Sequence, residues 1–222
     1  MVRIHKRIVW LLIALMAASP TWVYAQPGPA DAGETKIDLS YVTPEASVAA
    51  FARPGRVLSS PGMEMMPVEV ISAAGKKELG IDPMDIEEVL VIAEPPQMGP
   101  PDYSMVIRFS KPYQLDALKL PPDMPLADTE LNGRPYRQPQ VPMAPGFYMP
   151  DDRTLIVGTD AILKKMLANQ KNPQEGALSQ LLAKTDNSAD VFVVTILEPV
   201  RPLLVAQLAN VPVPPPFEGV KR

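Results

Sequence analysis

The sequence lacks the side chains on which most metal-centred and nucleophilic chemistry depends. It contains no cysteine, and its only histidine is His5. Because residues 1–25 have the pattern of a removable leader, the mature chain from Gln26 onward would contain neither residue type. This composition excludes a Ser-His-Asp triad, a thiol nucleophile, a zinc finger and an iron–sulfur cluster. It also excludes disulfide bonds, so stability must come from a packed core.

Positive charge and phosphate-binding motifs are scarce as well. The mature chain has 18 Lys and Arg against 25 Asp and Glu, a net charge near −7, and its lysines are scattered. Nucleic acids and anionic lipids require clustered positive charge, so neither is an expected partner. The chain contains no G-x-x-x-x-G-K-[ST], G-x-G-x-x-G, G-x-S-x-G or S-x-x-K motif. We therefore assign no catalytic, cofactor-binding or metal-ligating residue and expect no cofactor.

The first 25 residues have the organisation of a secretory signal peptide. Three basic residues precede an apolar core of 11 residues at 8–18, and small residues stand at the −3 and −1 positions of a cleavage site. We predict cleavage between Ala25 and Gln26, and an exported protein, periplasmic or extracellular. The alternative is an uncleaved anchor, since the apolar stretch through Ala25 approaches the lower limit for a spanning helix. No later segment is as long and apolar, so no membrane span is expected after cleavage.

The mature chain divides into three parts by composition. Residues 26–40 are rich in Pro, Gly and Ala and predict a flexible arm. Residues 41–210 alternate apolar runs of strand length with helical patterns, which predicts a single domain of the α+β class. Residues 211–222 include Pro212 and the run Pro214-Pro215-Pro216 and predict an extended tail. We expect an antiparallel or mixed sheet with helices packed on one face.

Local patterns place the individual elements. Strands are predicted at Ser47–Ala52, Val89–Ala93, Tyr103–Phe109 and Asp190–Leu197, with a hairpin whose arms Phe147–Met149 and Thr154–Val157 flank a turn at Pro150–Arg153. Helices are predicted at Pro67–Leu79, from a Thr159 cap to Asn169, from an Asn172 cap through Leu182, and at Val200–Ala209. The proline-rich segment 126–148 predicts short strands at a sheet edge. The run at 190–197 is apolar without alternation, which favours a central strand.

Two passages of the chain are similar to each other and suggest a repeat. Apolar strands beginning near Val48 and Val191, 143 residues apart, are each followed by a proline and a helical pattern. Either the late strand closes the sheet of the first module, or residues 190–222 are the start of a truncated second module in a fragment of a longer protein.

Two groups of side chains are candidate metal sites. Met63, Met65 and Met66 stand close together, with Met98, Met143 and Met149 elsewhere, and thioethers bind Cu(I) in exported proteins. The alternative is that Met65 and Met66 fill gaps beneath the helix that Pro67 begins. The acidic residues Asp82, Asp85, Glu87 and Glu88 lack the alternating spacing of a calcium loop and fit a solvated helix start.

One carboxylate pair is a candidate for acid–base catalysis. Asp151 and Asp152 are adjacent, but they fall in the predicted hairpin turn, where Asp is an ordinary turn residue.

Three passages together resemble uncharacterised exported proteins of planctomycete bacteria. They are Tyr41-Val42-Thr43-Pro44-Glu45-Ala46, Glu78-Leu79-Gly80-Ile81-Asp82, and the hairpin from Tyr148 to Gly158 that leads into a Leu-rich helix. The resemblance is one of pattern and implies an exported protein; it brings no site residues with it.

Our leading hypothesis is an exported, non-enzymatic binding or structural domain with an unknown protein or envelope partner. The alternatives are an exported hydrolase that uses carboxylates only and a Met-based Cu(I)-binding module. A cleft that holds two carboxylates in different environments would favour the hydrolase, whereas a filled core with shallow grooves would favour binding.

Overall fold

Eight antiparallel strands form one sheet in the computed structural model, which describes residues 37–95, 102–121, 124–141, 144–185, 188–202 and 205. The strands are β1 (Val48–Ala52), β2 (Ile86–Ala93), β3 (Tyr103–Phe109), β4 (Leu126–Leu131), β5 (Arg134–Pro139), β6 (Gly146–Tyr148), β7 (Thr154–Gly158) and β8 (Val191–Thr195). The helices are α1 (Pro54–Leu58), α2 (Val68–Glu78), α3 (Asp160–Lys171) and α4 (Ala177–Leu182), and short 3₁₀ turns include Pro61–Met63, Pro83–Asp85, Leu115–Ala117 and Glu198–Val200.

The strand order is β4-β5-β6-β7-β3-β2-β1-β8, and every neighbouring pair is antiparallel. Helices α3 and α4 pack on one face of this sheet, while α1 contacts β2 and the 3₁₀ turn before it. The predicted α+β class, with an antiparallel sheet and helices on one face, is confirmed.

One row of directly paired residues crosses all eight strands on the helix side of the sheet. The row is Thr129, Tyr136, Tyr148, Ile156, Val106, Leu90, Phe51 and Phe192. Because side chains alternate between faces along a strand, this row directs its large residues toward α3. Helix α3 meets them with Ile162, Leu163, Met166 and Leu167, all buried in the same core. The main core therefore lies between the sheet and helices α3 and α4, while Leu58, Val89, Ile107, Phe109 and Leu155 are buried outside that cluster.

Both tight hairpins have turn residues of the expected chemistry. Between β6 and β7, the Asp151 Oδ1 accepts a hydrogen bond from the Arg153 N–H at 2.8 Å, as the sequence predicts for this turn. Between β4 and β5, Asn132 and Gly133 have φ of 54° and 71°, the left-handed conformation that two-residue hairpin loops require. These two short strands lie at one end of the sheet, as expected for the proline-rich segment.

The two helices on the core face start differently from each other. Thr159 caps α3 as predicted, because its hydroxyl accepts a hydrogen bond from the Ile162 N–H. The predicted start of the next helix at Asn172 is wrong: Asn172 ends α3, and α4 begins at Ala177 after the extended Gly176. The Ser179 hydroxyl, which accepts from the Gly176 N–H at 2.9 Å, closes this first turn in place of a side-chain cap at Asn172.

The prediction of a central strand at 190–197 is wrong, because β8 lies at the edge of the sheet and pairs with β1 alone among the described strands. Its burial alternates along the strand, although its sequence does not alternate in polarity. Helices α3 and α4 lie on the opposite face from Val191 and Val193, so these two side chains remain exposed.

Several predictions fall outside the described residues: the leader with its cleavage site, most of the flexible arm, the extended tail, and most of the helix at Val200–Ala209. Leu203 and Leu208, whose burial would bear on a truncated second module, are also outside them, so that module stays a prediction.

Candidate interaction surface

Along the outer side of strand β8, the backbone groups have no pairing strand among the described residues. The Ile196 N–H donates to the Ser47 carbonyl at 2.7 Å, and the Arg53 N–H donates to the Asp190 carbonyl at 2.8 Å. Hydrogen-bonded residues alternate in an antiparallel pair, so the even-numbered residues of β8 face β1. The N–H and C=O groups of Val191, Val193 and Thr195 therefore point away from the sheet, where no described strand pairs with them.

The side chains of these outward-bonding residues are apolar and exposed. Val191 is 49% exposed and Val193 is 62% exposed, and Leu197 just beyond the strand is 60% exposed. The intervening Phe192 and Val194 pack against the core instead. We call Val191, Val193, Thr195 and Leu197, with their free backbone groups, the β8 edge.

The β8 edge lacks the features by which proteins protect a sheet edge from other chains. Such edges normally carry charged residues, proline or a bulge, but residues 191–195 read VFVVT and contain none of these. Strand β4, at the opposite edge, has Asp128 and Glu130 exposed. The two edges of the same sheet thus differ, and only β4 is protected by charge.

Apolar surface continues from the β8 edge onto both faces of the sheet. On the open face, Val193 is paired with Ala50 and Ala50 with Val91, and both of these are only partly buried. On the helix face, α4 contacts β8 and its Leu181 is 41% exposed. An added strand at this edge would therefore cover apolar side chains on both of its sides.

Charged side chains anchor the beginning of β8. The Arg56 Nε lies 3.0 Å from the Asp190 Oδ1, and the Arg53 guanidinium donates to the Ala189 carbonyl at 3.1 Å. Arg53 is buried and its guanidinium lies 4.8 Å from the centroid of the Phe51 ring. These contacts fix the start of β8 against β1 and α1, so the position of the edge strand is set by contacts within the chain itself.

Glu88 and Arg108 extend this group of charged residues into the sheet. Glu88 and Arg108 are directly paired on β2 and β3, with Nε and Oε1 3.4 Å apart, and Arg108 also contacts Asp38 at 3.2 Å. Glu88 is 6% exposed, and burial raises the pKa of its carboxyl although Arg108 opposes the shift. Its Oε2 has no hydrogen-bond partner among the described residues.

A buried carboxyl with a raised pKa is chemically suited to proton transfer only where it faces a substrate. Two hollows are present in the described structure, and Glu88 lines neither of them. The larger, about 570 Å³, lies between Leu39, Asn169 and α4, and the smaller, about 110 Å³, lies beside Asp82 and Asp85. The buried amide of Asn169 in the larger hollow already donates to two carbonyls and accepts from the Gln174 N–H.

The structure separates the acidic residues that the sequence groups together. Asp82 lies 2.7 Å from the Lys76 ammonium and Asp85 lies 2.8 Å from that of Lys111. Glu87 is exposed, and Glu88 is buried because the two are neighbours on β2 and point to opposite faces. Within the ranges that the structure describes, no group of three or more His, Cys, Asp or Glu side chains could hold a metal ion.

The interpretation of Met65 and Met66 as packing residues is wrong. Met65 is 96% exposed and Met66 is 40% exposed. Helix α2, which follows them, buries only Gly75, where an added Cβ would lie 2.6 Å from both the Ile81 carbonyl oxygen and the Pro83 Cδ. There is consequently no core beneath the start of this helix for methionines to fill.

The remaining predicted residues do not form a catalytic group. Asp151 and Asp152 are exposed in the β6–β7 turn, where Asp151 bonds the backbone. Ala25 and Gln26, and the methionines at 98 and 143, lie outside the described residues. Among the residues that the structure describes, no helix has the length and apolar character needed to span a bilayer.

Sequence reasoning missed the β8 edge. The apolar run at 190–197 predicts a strand but does not say that only one of its faces is covered. The burial of β8 alternates although its sequence does not, so no local signal could have found this edge.

Comparison with known proteins identifies no family for this chain. No protein-family model matches the chain, and no curated protein matches it. It is similar to one solved structure, described as crystal form I of TP0453, with a TM-score of 0.44 and 17% sequence identity. The match covers 72% of this chain and 63% of that one, so the similar region is less than two thirds of the length of that protein.

Proposed function

We propose that this protein is an exported, non-enzymatic binding domain of the cell envelope or periplasm, and that it acts by pairing its β8 edge with a strand of a protein partner. The observation that carries the proposal is an uncharged edge strand whose outer backbone groups pair with no described strand and whose valines are exposed. In strand addition, backbone hydrogen bonds supply affinity and pockets for alternate side chains supply specificity. The β8 edge offers both, with the partly buried Ala50 and Val91 beside the exposed valines.

Location in the envelope is supported by the sequence. The leader at 1–25 has the three regions of a signal peptide, and the chain contains no cysteine that would mark a lipid anchor. The resemblance to exported proteins of planctomycete bacteria points to the same compartment. N-terminal sequencing of the exported protein tests cleavage of the leader: a start at Gln26 supports it, and a start at Met1 contradicts it.

Site-specific photo-cross-linking in cells that produce the protein tests the binding function. A photoreactive phenylalanine analogue at Val193 is expected to give adducts of higher mass, because this side chain lies beside the paired strand. The same analogue at Thr129, exposed on the opposite edge, is the matched control and is expected to give none. Absence of adducts at Val193, or equal adducts at both positions, would contradict the proposal.

A second candidate function is Cu(I) binding by Met63, Met65 and Met66. The exposure of Met65 and Met66 favours it, because their thioethers are accessible to a soft metal ion. Competition with a chromophoric Cu(I) chelator tests it. The wild-type chain should withdraw Cu(I) from the chelator, and the variant Met65→Leu/Met66→Leu should not. Equal behaviour of the two proteins would remove this candidate.

A further inference from the structure

We propose that the strand that pairs with β8 is the β8 strand of a second copy of this chain. The two copies would be related by a two-fold axis at Val193 and would form one continuous sheet. This inference rests on the proposed use of the β8 edge in strand pairing and names the partner. It follows from three properties of the edge: its hydrogen-bonding pattern, its side chains and its charges.

The outer backbone groups of β8 are self-complementary. Val191, Val193 and Thr195 direct their N–H and C=O groups outward, at alternating positions centred on Val193. In an antiparallel pair, residues that exchange two hydrogen bonds stand directly opposite each other. An axis at Val193 places Val193 opposite itself and Val191 opposite the partner's Thr195. Every outward group of the strand then finds a donor or acceptor.

The side chains in this register are compatible on both faces. On the open face, Val193 lies beside the partner's Val193, and Val191 lies beside the partner's Thr195. The exposed β-branched residues therefore cover each other. On the helix face, Phe192 adjoins the partner's Val194, which extends the core row across the interface. Leu181 of α4 lies on that same face, beside β8, and is 41% exposed.

The register also places no like charges directly opposite each other. Residues 191–197 are uncharged, so each strand meets an uncharged strand despite the acidic balance of the chain. At the ends, Asp190 stands opposite the partner's Ile196, and Glu198 stands opposite the partner's Ser188. No residue therefore faces a residue of like charge directly across the interface.

Pairing of β8 with the other edge of a second copy is less suitable. Strand β4 has Asp128 and Glu130 exposed, and a β8–β4 contact is head-to-tail, so each added copy would leave a free β8. Such contacts generate open filaments. A two-fold contact pairs the β8 edge of one copy with the β8 edge of the other, so no further copy can add at β8. Only five residues of each strand pair, so the interface is small and we expect a weak dimer that depends on concentration.

Charge substitution at the axis tests the inference with the full exported chain. Val193→Lys places two ammonium groups opposite each other, and Val193→Asp places two carboxylates there. Each variant alone is expected to be monomeric in sedimentation velocity, while an equimolar mixture restores the doubled mass of the wild type. Thr129→Lys on β4 is the matched control and should dimerise as the wild type does. Val193 is mostly exposed, so neither variant should lose the fold, and circular dichroism checks this.

The outcomes separate this inference from the proposed function. A wild-type chain that remains monomeric into the millimolar range, or a mixture that does not restore the dimer, overturns self-pairing. If the monomer exchanges its Val193 amide rapidly and cross-links from Val193 to a different protein, the proposed function stands and only self-pairing fails. If a monomer protects that amide, another part of the same chain covers the edge, and both proposals fail.

Discussion

Phe51 and Phe192 stack with their ring centroids 5.1 Å apart and their planes inclined by 21°. They are directly paired across β1 and β8, and Phe51 is completely buried. This contact ties the edge strand to the core, while the neighbouring residue Val193 points to the open face. Adjacent residues of β8 thus have separate tasks: Phe192 holds the strand in place, and Val193 is available to a partner.

Replacement of Phe192 should destabilise the fold far more than replacement of Val193. Phe192→Ala removes the stacked ring and leaves a cavity against Phe51, and we expect a loss of about 2–3 kcal/mol in the free energy of unfolding. Val193→Ala should change it by less than about 0.5 kcal/mol, because Val193 is 62% exposed. Urea unfolding of both variants, at concentrations where the wild type is monomeric, measures the difference. Equal losses would show that β8 is not docked by its aromatic face.

The neighbouring lysines Lys164 and Lys165 should contribute unequally to stability. Lys165 lies 2.6 Å from the carboxylate of Glu94, which is 6% exposed. Lys165→Met leaves that buried charge with the Thr43 hydroxyl, 3.3 Å away, as its hydrogen-bond donor, and we expect a loss of about 2 kcal/mol. Lys164→Met removes a surface pair with Asp160 and should cost about 0.3–0.5 kcal/mol. Thermal or urea unfolding checks the ratio, and similar costs for the two changes would contradict it.

Two glycines with nearly equal positive φ should respond differently to alanine. Gly80 and Gly133 have φ of 73° and 71°, so alanine strains the backbone at both. At Gly133 an added Cβ meets nothing within 4 Å, and we expect a loss of about 1 kcal/mol. At Gly80 it would lie 1.9 Å from the Ala117 carbonyl oxygen, which must move, and we expect a loss of more than about 3 kcal/mol. Denaturation midpoints of Gly80→Ala and Gly133→Ala compare the two; equal midpoints would mean that the turn at 115–117 moves freely.

The buried carboxyl of Glu88 should make stability depend on pH in a defined direction. Burial raises the pKa of Glu88 above 4.5, with Arg108 and Arg53 opposing the shift and Glu87 and Asp38 adding to it. A carboxyl whose pKa is higher in the folded state stabilises the fold below its unfolded pKa and loses that contribution as the pH rises through its folded pKa. The free energy of unfolding of the wild type, relative to Glu88→Gln, should therefore fall as the pH rises above about 4.5.

Urea unfolding of wild type and Glu88→Gln between pH 4 and pH 8 gives this difference directly. Arg108 retains Asp38 as a partner in the variant, so its guanidinium is not left unpaired. A difference that rises with pH would mean that the arginines outweigh burial.

Elements whose signals are local could be predicted from the sequence. The bounds of β3 are the predicted ones, the β6–β7 hairpin closes on its Pro-Asp turn, and Thr159 caps α3. In each case a few adjacent residues suffice, because alternation, turn chemistry and capping are properties of the segment itself.

Features that depend on what covers a segment could not be predicted in this way. The run at 190–197 reads as buried on both sides, but α3 and α4 cover only one face, so Val193 is exposed. Met65 is exposed, and the helix that follows it, α2, buries only Gly75. The environment of Glu88 arises from Arg53 and Arg108, which lie on two other segments. Each of these features depends on the residues that pack against the segment, and a local sequence pattern does not reveal those residues.

The pairing of β1 with β8 sets the order of events in folding. Val48 and Thr195 are register partners although they lie 147 positions apart in the chain. Strand β1 is synthesised well before β8. Ala49 and Phe51, which are completely buried in the folded sheet, therefore have no β8 partner until the later residues have been made. Closing a loop of this length precedes the contacts that reward it, which makes such topologies slow to fold. Until β8 pairs with β1, β1 is itself an edge of the sheet, and its outer backbone groups have no described strand beside them.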